Sequence, residues 1–372
     1  MGELKEEDVL KALSKVMEPD MGKDIVSLDL VSDIIINDKI ISFVVSTKNA
    51  AMHSRKRMQE ACQFAIERNI GPGFNTEVEV KGLKKAQSAQ KVLPNIKNII
   101  AVVSGKGGVG KSTVASNIAI GLNKKGLKVG VVDADIYGPS MPIMFDCQHY
   151  RPMSRQIENK QYIVPAENYG IKLLSIGFFA ELDEAVVWRG PMAAKALHQL
   201  FFDADWGELD YLIIDTPPGT GDVHLSIVQT LPLTGVVVVT TPQNVAIADA
   251  KKSISMFNIE TIKVPILGIV ENMSWFTPKE LPDNKYYIFG VSGGKNLSDS
   301  LNIPLLGQIP LVQSVRESGD AGRPAIMQHE TVVQKYYLDL CDNLINRVDW
   351  RNDELSDTKV VEVDYGSPKC SS

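Results

Sequence analysis

The sequence has few cysteines, no long apolar segment and no targeting signal at its N-terminus. Its 372 residues include 4 cysteines, which are far apart, and no two of them have C-x-x-C spacing. A disulfide framework is therefore not expected in a chain of this size. No apolar run reaches the roughly 18 residues that a transmembrane helix needs. The first residues, MGELKEEDVLKALSKV, form a charged amphipathic pattern and do not resemble a signal peptide.

The net charge of the chain is also small. A formal net charge of −6 does not indicate a nucleic-acid partner or an anionic membrane surface. Hydrophobic residues make up 44% and charged residues 23%, which is an ordinary globular composition in a chain long enough for two domains. We therefore expect a cytoplasmic protein that binds neither nucleic acid nor membranes.

The most informative stretch is IIAVVSGKGGVGKST, residues 99–113. It fits G-x-x-x-x-G-K-[ST] from Gly105 to Ser112, after a buried-strand pattern and before a helix pattern, which disfavours a chance match by an ordinary glycine-rich turn. Glycines allow positive φ, so that successive N–H groups can point at a polyphosphate. Lys111 is predicted to reach the β- and γ-phosphates, and the Ser112 hydroxyl to bind Mg²⁺. The residues predicted to bind ATP here are Gly105, Lys106, Gly107, Gly108, Val109, Gly110, Lys111, Ser112 and Thr113.

Carboxylates follow two further strand patterns. Asp215 ends YLIID, in the Walker B position, and is predicted to hold Mg²⁺ through its water shell. Asp133 and Asp135 lie in VVDADIYGPS. Such carboxylates can orient the metal and the attacking water, although any single aspartate at a strand end can instead cap a turn or a helix.

The order of patterns predicts an α/β fold with two domains. Residues 1–82 indicate a small α+β domain, with strands at IVSLDLV and DKIISFVVS and a second helix near 52–67. Residues 83–96 are polar and indicate a linker. From residue 97 to 348 strands and helices alternate, which predicts a mostly parallel sheet covered by helices, closed by a helix at 331–348. The first helix is predicted at 111–125, ended by Gly126, and residues 349–372 indicate a flexible tail.

The loop GKGGVGKST resembles the deviant phosphate-binding loop of the family that contains the nitrogenase iron protein, MinD, ParA and the Mrp/ApbC iron–sulfur carriers. In that family the lysine matching Lys106 reaches the phosphates of the partner's nucleotide, so the resemblance implies a nucleotide-dependent homodimer. The alternative for Lys106 is a solvated surface lysine. The resemblance also implies that Lys106, Lys111 and Asp135 are catalytic, with Asp135 orienting the water and Asp133 beside the magnesium.

Three further stretches, VVDADIYGPSMP, DTPPGTGD and VENMSWF, resemble the Mrp/ApbC branch of this family. This implies a slow ATPase, coupled to a change of conformation, that binds iron–sulfur clusters and transfers them to apoproteins. VVDADIYGPS matches the segment that forms the first switch of this family, DTPPGTGD resembles the second switch, and Asn272 matches the asparagine that contacts adenine. The order of the first domain, with MEPDMGKDIVSLDLV, resembles the small domain of metal–sulfur cluster assembly proteins, which we interpret as a docking module for targets.

The sequence departs from that branch at the cluster site. Carriers usually have C-x-x-C after VENMS, whereas this chain continues WFTPKELPDNKYYIFG, with no cysteine between Cys147 and Cys341. Iron–sulfur clusters need thiolates, so the cluster ligands stay unassigned; Cys370 from each of two tails is one candidate. The main alternative function is a cluster-free, nucleotide-dependent dimeric switch that regulates a protein partner.

Overall fold

The structure is a computed structural model in which two compact units, Met1–Gln90 and Lys91–Ser372, are described separately. Residues 83–91 of the predicted linker and most of the predicted tail, including Cys370, lie outside the described residues. The described residues are 4–19, 22–28, 30–37, 40–47, 52–82, 92–157, 160–179, 190–278, 280–281, 284–329, 331–358 and 360.

The first unit is an α+β domain with a three-stranded sheet. Its elements are α1 (Glu6–Leu13), β1 (Met17–Glu18), β2 (Lys23–Asp24), β3 (Val31–Asn37), β4 (Ile40–Thr47), α2 (Met52–Asn69) and β5 (Asn75–Gly82). The central strand β4 pairs antiparallel with β3 and parallel with β5. Apolar residues alternate along β4 and bury one face, which gives this unit its own core.

One predicted strand of this unit is wrong. IVSLDLV was expected to be extended, but residues 25–28 form a turn and the strand begins at Val31. The reason is local: the Asp24 carboxylate accepts hydrogen bonds from the backbone N–H groups of Val26 at 3.1 Å and Ser27 at 2.8 Å. An aspartate that bonds the backbone in this way stabilises a turn in competition with a strand.

The second unit alternates strands and helices, as predicted. Its elements are β6 (Ile96–Ser104), α3 (Lys111–Lys124), β7 (Val129–Asp133), α4 (Met141–Met144), β8 (Ser154–Ile157), β9 (Lys160–Ile163), β10 (Ala166–Asn168), β11 (Ile171–Ser175), α5 (Gly190–Phe202), β12 (Leu209–Asp215), α6 (Asp222–Thr230), β13 (Gly235–Thr240), α7 (Asn244–Phe257), β14 (Ile266–Phe276), α8 (Gly293–Leu301), β15 (Leu305–Leu311), α9 (Gln313–Asp320) and α10 (Val332–Glu354). Gly126, with φ +85°, follows α3 where the glycine predicted its end.

Eight of these strands form one sheet, in the order β10-β11-β7-β12-β6-β13-β14-β15. Only the β10–β11 pair at one edge is antiparallel. Every residue of β7 and β13 is buried. Because successive side chains of a strand point to opposite faces, both faces of the sheet are covered. This confirms the predicted α/β fold.

The closing helix is longer than predicted. It was expected to end at residue 348, but α10 continues to Glu354, and so the first residues of the predicted tail are helical. Val348 is fully buried and Arg351 is 3% exposed, so this last stretch still has a core-facing side. The Arg351 guanidinium donates to Ser356 O at 3.2 Å and Thr358 Oγ1 at 2.9 Å. Among the helices of the described residues, none is long and apolar enough to cross a membrane.

Candidate functional site

The glycine-rich loop lies between the central strand β6 and the start of α3. Gly108 has φ +78° and Gly110 has φ +80°, a left-handed conformation that favours glycine. A Cβ at Gly105 would collide with the backbone of Asp249 in α7, and a Cβ at Gly110 would collide with the Asn272 amide. The glycines therefore serve both the turn of the loop and its close packing on neighbouring elements.

Lys111 is the first residue of α3 and lies between two of the predicted aspartates. Its Nζ donates to Asp215 Oδ1 at 2.5 Å and lies 3.8 Å from Asp135 Oδ2. It also donates to Ser112 Oγ at 3.3 Å. The Lys111 side chain is 6% exposed and that of Asp215 is fully buried. The structure thus brings the predicted phosphate-binding lysine and the predicted metal-binding residues together within one buried group.

Asp133 is next to Asp215 because β7 and β12 are adjacent parallel strands in which these two residues are paired. The Asp133 carboxylate is fully buried and accepts bonds from three donors, namely Asp135 N at 3.2 Å, Met141 N at 3.1 Å and Ser175 Oγ at 2.9 Å. The Asp133 carboxylate therefore stabilises the conformation of the segment that follows β7. Its predicted position beside the metal stays a prediction.

The electrostatics of this group follow from its burial. Burial raises the pKa of Asp133 to about 7, and the nearby charge of Asp215 acts in the same direction. Burial also raises the pKa of Asp135, with Lys111 opposing it and Asp215 adding to it. Three buried carboxylates share one ammonium group, so the site has a surplus of negative charge. A divalent cation would offset that surplus.

Asp215 and Ser112 also fit the predicted role for Mg²⁺. Asp215 Oδ2 is buried and accepts no hydrogen bond from any described residue. Within the described ranges no three or more His, Cys, Asp or Glu side chains form a ready cage for a metal ion. Mg²⁺ does not need one, because it usually binds one or two protein oxygens together with waters and substrate phosphates.

Asn272 lies directly beneath the loop. Its Nδ2 donates to Val109 O at 2.8 Å, and its side chain packs against Gly110. Asn272 is 6% exposed and Val109 is 2% exposed. The amide therefore supports the backbone that is predicted to bind phosphate, a role that the sequence did not suggest. Contact with adenine stays a prediction.

The other residues of the loop are placed at its rim and along the first turn of α3. Gly107 and Gly108 are exposed, while Lys106, Ser112 and Thr113 are half-buried. The Lys106 carbonyl accepts a bond from Ser104 Oγ at 3.0 Å. In the part of the chain that the structure describes, the Lys106 ammonium makes no ion pair.

Glu271 is a buried residue of this region that sequence reasoning missed. It precedes Asn272 on β14, and its carboxylate accepts bonds from Gly294 N at 2.5 Å and Gln308 Nε2 at 2.7 Å. It thus links α8 and β15 to the middle of β14. The signal was present, since a glutamate inside the apolar strand pattern PILGIVENM indicates a buried, bonded carboxylate.

The described cysteines do not form a thiolate site. Cys62 and Cys341 are fully buried, and burial raises the pKa of each to about 12. Cys147 is half-buried, and burial together with Asp146 raises its pKa. A thiol with a raised pKa is a poor metal ligand, because the ligand is the thiolate. Cys370, the candidate from the sequence, lies outside the described residues.

Two family descriptions match the chain. The family described as NUBPL iron-transfer P-loop NTPase matches residues 95–345, and the family described as iron–sulfur cluster assembly protein matches residues 6–80. The first match covers the loop, the three aspartates and Asn272.

Individual relatives agree with the family matches. The chain is 42% identical over 325 residues to an iron–sulfur cluster carrier protein of Synechocystis, covering 86% of this chain and 90% of that protein. It is 43% identical over 281 residues to the iron–sulfur cluster transfer protein NUBPL of Dictyostelium discoideum, covering 75% of this chain and 85% of that protein. Among solved structures, a nucleotide-binding protein of Archaeoglobus fulgidus in complex with ADP superposes with a TM-score of 0.57 at 35% identity, covering 66% of this chain and 93% of that one.

Proposed function

Since the chain belongs to the family of NUBPL iron-transfer P-loop NTPases, we propose that it is an ATPase that binds iron–sulfur clusters as cargo and transfers them to apoproteins. Relatives named as iron–sulfur cluster carrier and transfer proteins, aligned over most of their length, support this. The proposal includes a cytoplasmic location and a slow turnover coupled to a change of conformation. The N-terminal unit, which matches the cluster assembly family, would dock the target proteins.

The observation that supports the ATPase most directly is the position of Lys111. Its ammonium lies 2.5 Å from Asp215 and 3.8 Å from Asp135, at the end of a loop with two left-handed glycines. A triphosphate in this loop would meet backbone N–H groups, the start of α3 and the Lys111 ammonium. The A. fulgidus protein that superposes on this chain was solved with ADP, which supports a nucleotide as the ligand.

The same residues account for hydrolysis. The oxygen of a water molecule forms a bond to the γ-phosphorus while the bond between that phosphorus and the β–γ bridging oxygen breaks. One proton of the water passes to a phosphate oxygen or to solvent, and ADP and inorganic phosphate leave. Lys111 stabilises the charge that develops on the phosphate oxygens. In this proposal Asp135 orients the water. Mg²⁺ would be held by Ser112 and, through water, by Asp215, and it would supply positive charge that offsets the negative charge of the phosphates.

Phosphate release from MgATP tests these roles. We expect a low rate in the wild-type protein and a decrease of about 100-fold or more in Lys111→Ala and in Asp135→Ala, because a charged group that acts in the transition state contributes on that order. Lys128→Ala is the matched control, since that lysine side chain is 64% exposed. Full activity in both site variants would contradict the assignment.

The proposal also includes a homodimer in which Lys106 of one subunit contacts the nucleotide of the other. Light scattering during size-exclusion chromatography should show a dimer with a non-hydrolysable ATP analogue and Mg²⁺. Lys106→Ala should weaken that dimer while each subunit still binds the analogue. A protein that stays monomeric with every nucleotide would contradict this part.

The second candidate function is a cluster-free nucleotide switch that regulates a protein partner. The absence of a thiolate site among the described residues favours it. Anaerobic incubation with ferrous iron and sulfide separates the two candidates. A broad absorbance in the blue, lost in Cys370→Ser, kept in Cys341→Ala and followed by transfer to an apo-ferredoxin, would support the carrier. No absorbance and no bound sulfide would support the switch.

A further inference from the structure

A cavity of about 300 Å³ lies near Lys111 and Asp135, here called the catalytic group. It is bounded by α5, by the residues after β7 and by the residues that lead from β12 into the first turn of α6. The last two segments are those that the sequence assigned to the nucleotide-responsive switches. The lining combines apolar residues, among them Ile136, Leu197, Pro217 and Pro218, with the polar residues Tyr137, Asp222, His224 and Ser226.

His224 is a buried polar residue of this cavity whose ring has no hydrogen-bond partner among the described residues. It is 2% exposed, and neither of its ring nitrogens makes a hydrogen bond to a described residue. Burial lowers the pKa of His224 to about 4, and the charge of Lys111 acts in the same direction. The carbonyls of Gly221 and Pro217 oppose this shift, but neither meets the ring with hydrogen-bond geometry. At neutral pH the ring is therefore a neutral imidazole whose one donor and one acceptor are buried next to the cavity and unpaired within the described part of the chain.

Tyr137 lies at the rim of the same cavity and is 77% exposed. Its hydroxyl can donate or accept one bond, which is what the His224 ring lacks. The space is sufficient, because a cavity of about 150 Å³ holds a benzene molecule. Moving the ring inward would also remove a large apolar surface from water.

The backbone connects Tyr137 to the catalytic group. Tyr137 N donates to Asp135 Oδ1 at 3.2 Å, and the other oxygen of Asp135 lies 3.8 Å from Lys111 Nζ. A γ-phosphate that engages Lys111 changes the charges around Asp135 and therefore the segment that bears Tyr137. This supplies the difference in interaction energy that a nucleotide-dependent conformational change requires.

We propose that in the ATP-bound protein the Tyr137 ring occupies this cavity and its hydroxyl hydrogen-bonds the His224 ring, so that Tyr137 and His224 are positioning residues for Asp135. The inference rests on the proposed ATPase function. In this proposal the two switch segments are joined by one hydrogen bond between the Tyr137 hydroxyl and the His224 ring. These two side chains are not bonded to each other in the structure.

Nitration of tyrosine by tetranitromethane, mapped by mass spectrometry, tests the position of the ring. In the full-length wild-type protein we expect Tyr137 to react readily without nucleotide and about tenfold more slowly with a non-hydrolysable ATP analogue and Mg²⁺, with Tyr162 on β9 as the internal reference. In His224→Leu the protection should fall to about threefold or less, a change of the size that one net hydrogen bond supplies. His224→Gln keeps a donor and an acceptor and should keep the protection.

Kinetics of Tyr137→Phe provide a second readout. This variant keeps the ring and removes the hydroxyl, so kcat should fall about threefold to tenfold while the KM for ATP is unchanged. Binding of the analogue is measured in the same samples. If the analogue binds and Tyr137 stays reactive, or if His224→Leu is protected as fully as wild type, this inference is overturned and the ATPase proposal stands. If the analogue does not bind, both are overturned.

Discussion

Replacing Asn272 by alanine tests whether the loop depends on a side chain from a distant strand. The Asn272 amide is 6% exposed and donates to the carbonyl of Val109, a residue that is 2% exposed, at 2.8 Å. The variant removes this bond and leaves a buried carbonyl without its partner. Such a loss costs about 1 to 3 kcal/mol, which corresponds to about a 5- to 150-fold weaker affinity for a ligand that needs the loop in this conformation.

The ligand pair that identifies the mechanism is MgATP and magnesium tripolyphosphate, which has the phosphates without the base. If Asn272 acts through the loop, calorimetry should show the same loss of affinity for both ligands in Asn272→Ala. If it acts only by contacting adenine, only the affinity for MgATP should fall. Asn296→Ala is the matched control, because Asn296 is an exposed residue of α8.

Asn272→Asp tests the same contact with almost no change of shape. An ionised carboxylate cannot donate to Val109 O and places a negative charge beneath the loop, so the loss for both ligands should exceed that of the alanine variant. Thermal unfolding of each variant shows whether the second unit stays folded. If a folded Asn272→Ala protein binds tripolyphosphate with unchanged affinity, Asn272 does not stabilise the loop and its proposed role is refuted.

Three further predictions concern the same region. Gly110→Ala should abolish detectable binding of ATP, because its Cβ would collide with the Asn272 side chain. Gly108 has a similar φ and open space around it, so Gly108→Ala should weaken ATP binding only by the roughly 1 to 2 kcal/mol that a left-handed alanine costs. Calorimetry of the two variants side by side checks this. Lys111→Ala should lower the free energy of unfolding in urea by about 3 kcal/mol or more, because it leaves buried carboxylates without their cation; an unchanged unfolding midpoint would contradict the ion pair. His224 has a pKa of about 4 in the folded protein and 6.5 in the unfolded chain, so it binds fewer protons when folded. Its contribution to stability is therefore complete above pH 6.5 and is lost as the pH falls to 4; relative to His224→Gln, the wild type should lose about 3 kcal/mol over that range in urea titrations.

The sequence could predict the parts of the site that are built from neighbouring residues. A buried strand, a loop with glycines at the required spacing and a helix that ends at Gly126 all follow from patterns within about 30 residues. Asp133 and Asp215 could be placed at one edge of the sheet because parallel strands have their carboxyl ends on the same side. That they would be paired on neighbouring strands depends on the strand order, which no local pattern gives.

The parts that the sequence could not predict depend on distant contacts. Asn272 is 163 residues from the carbonyl to which it donates, so no periodicity connects them. The turn at residues 25–28 was missed because the apolar pattern favoured a strand while one carboxylate, that of Asp24, bonded the backbone instead. The cavity beside His224 is formed by three segments of the chain, and whether a buried histidine has a partner is decided only when they assemble.

Charge links the fold to the function that we propose. Three carboxylates at the ends of two adjacent strands would repel one another, and the pKa of Asp133 is raised to about 7 by burial and, to a smaller extent, by the charge of Asp215. Lys111 offsets part of the repulsion, with its shortest contact to Asp215. If the phosphates of a nucleotide pair with the Lys111 ammonium, the carboxylates are left with a larger surplus of negative charge unless Mg²⁺ binds together with the nucleotide. The protein should therefore bind ATP far more tightly with Mg²⁺ than in EDTA, and Asp215→Asn, which removes part of the surplus, should reduce that dependence.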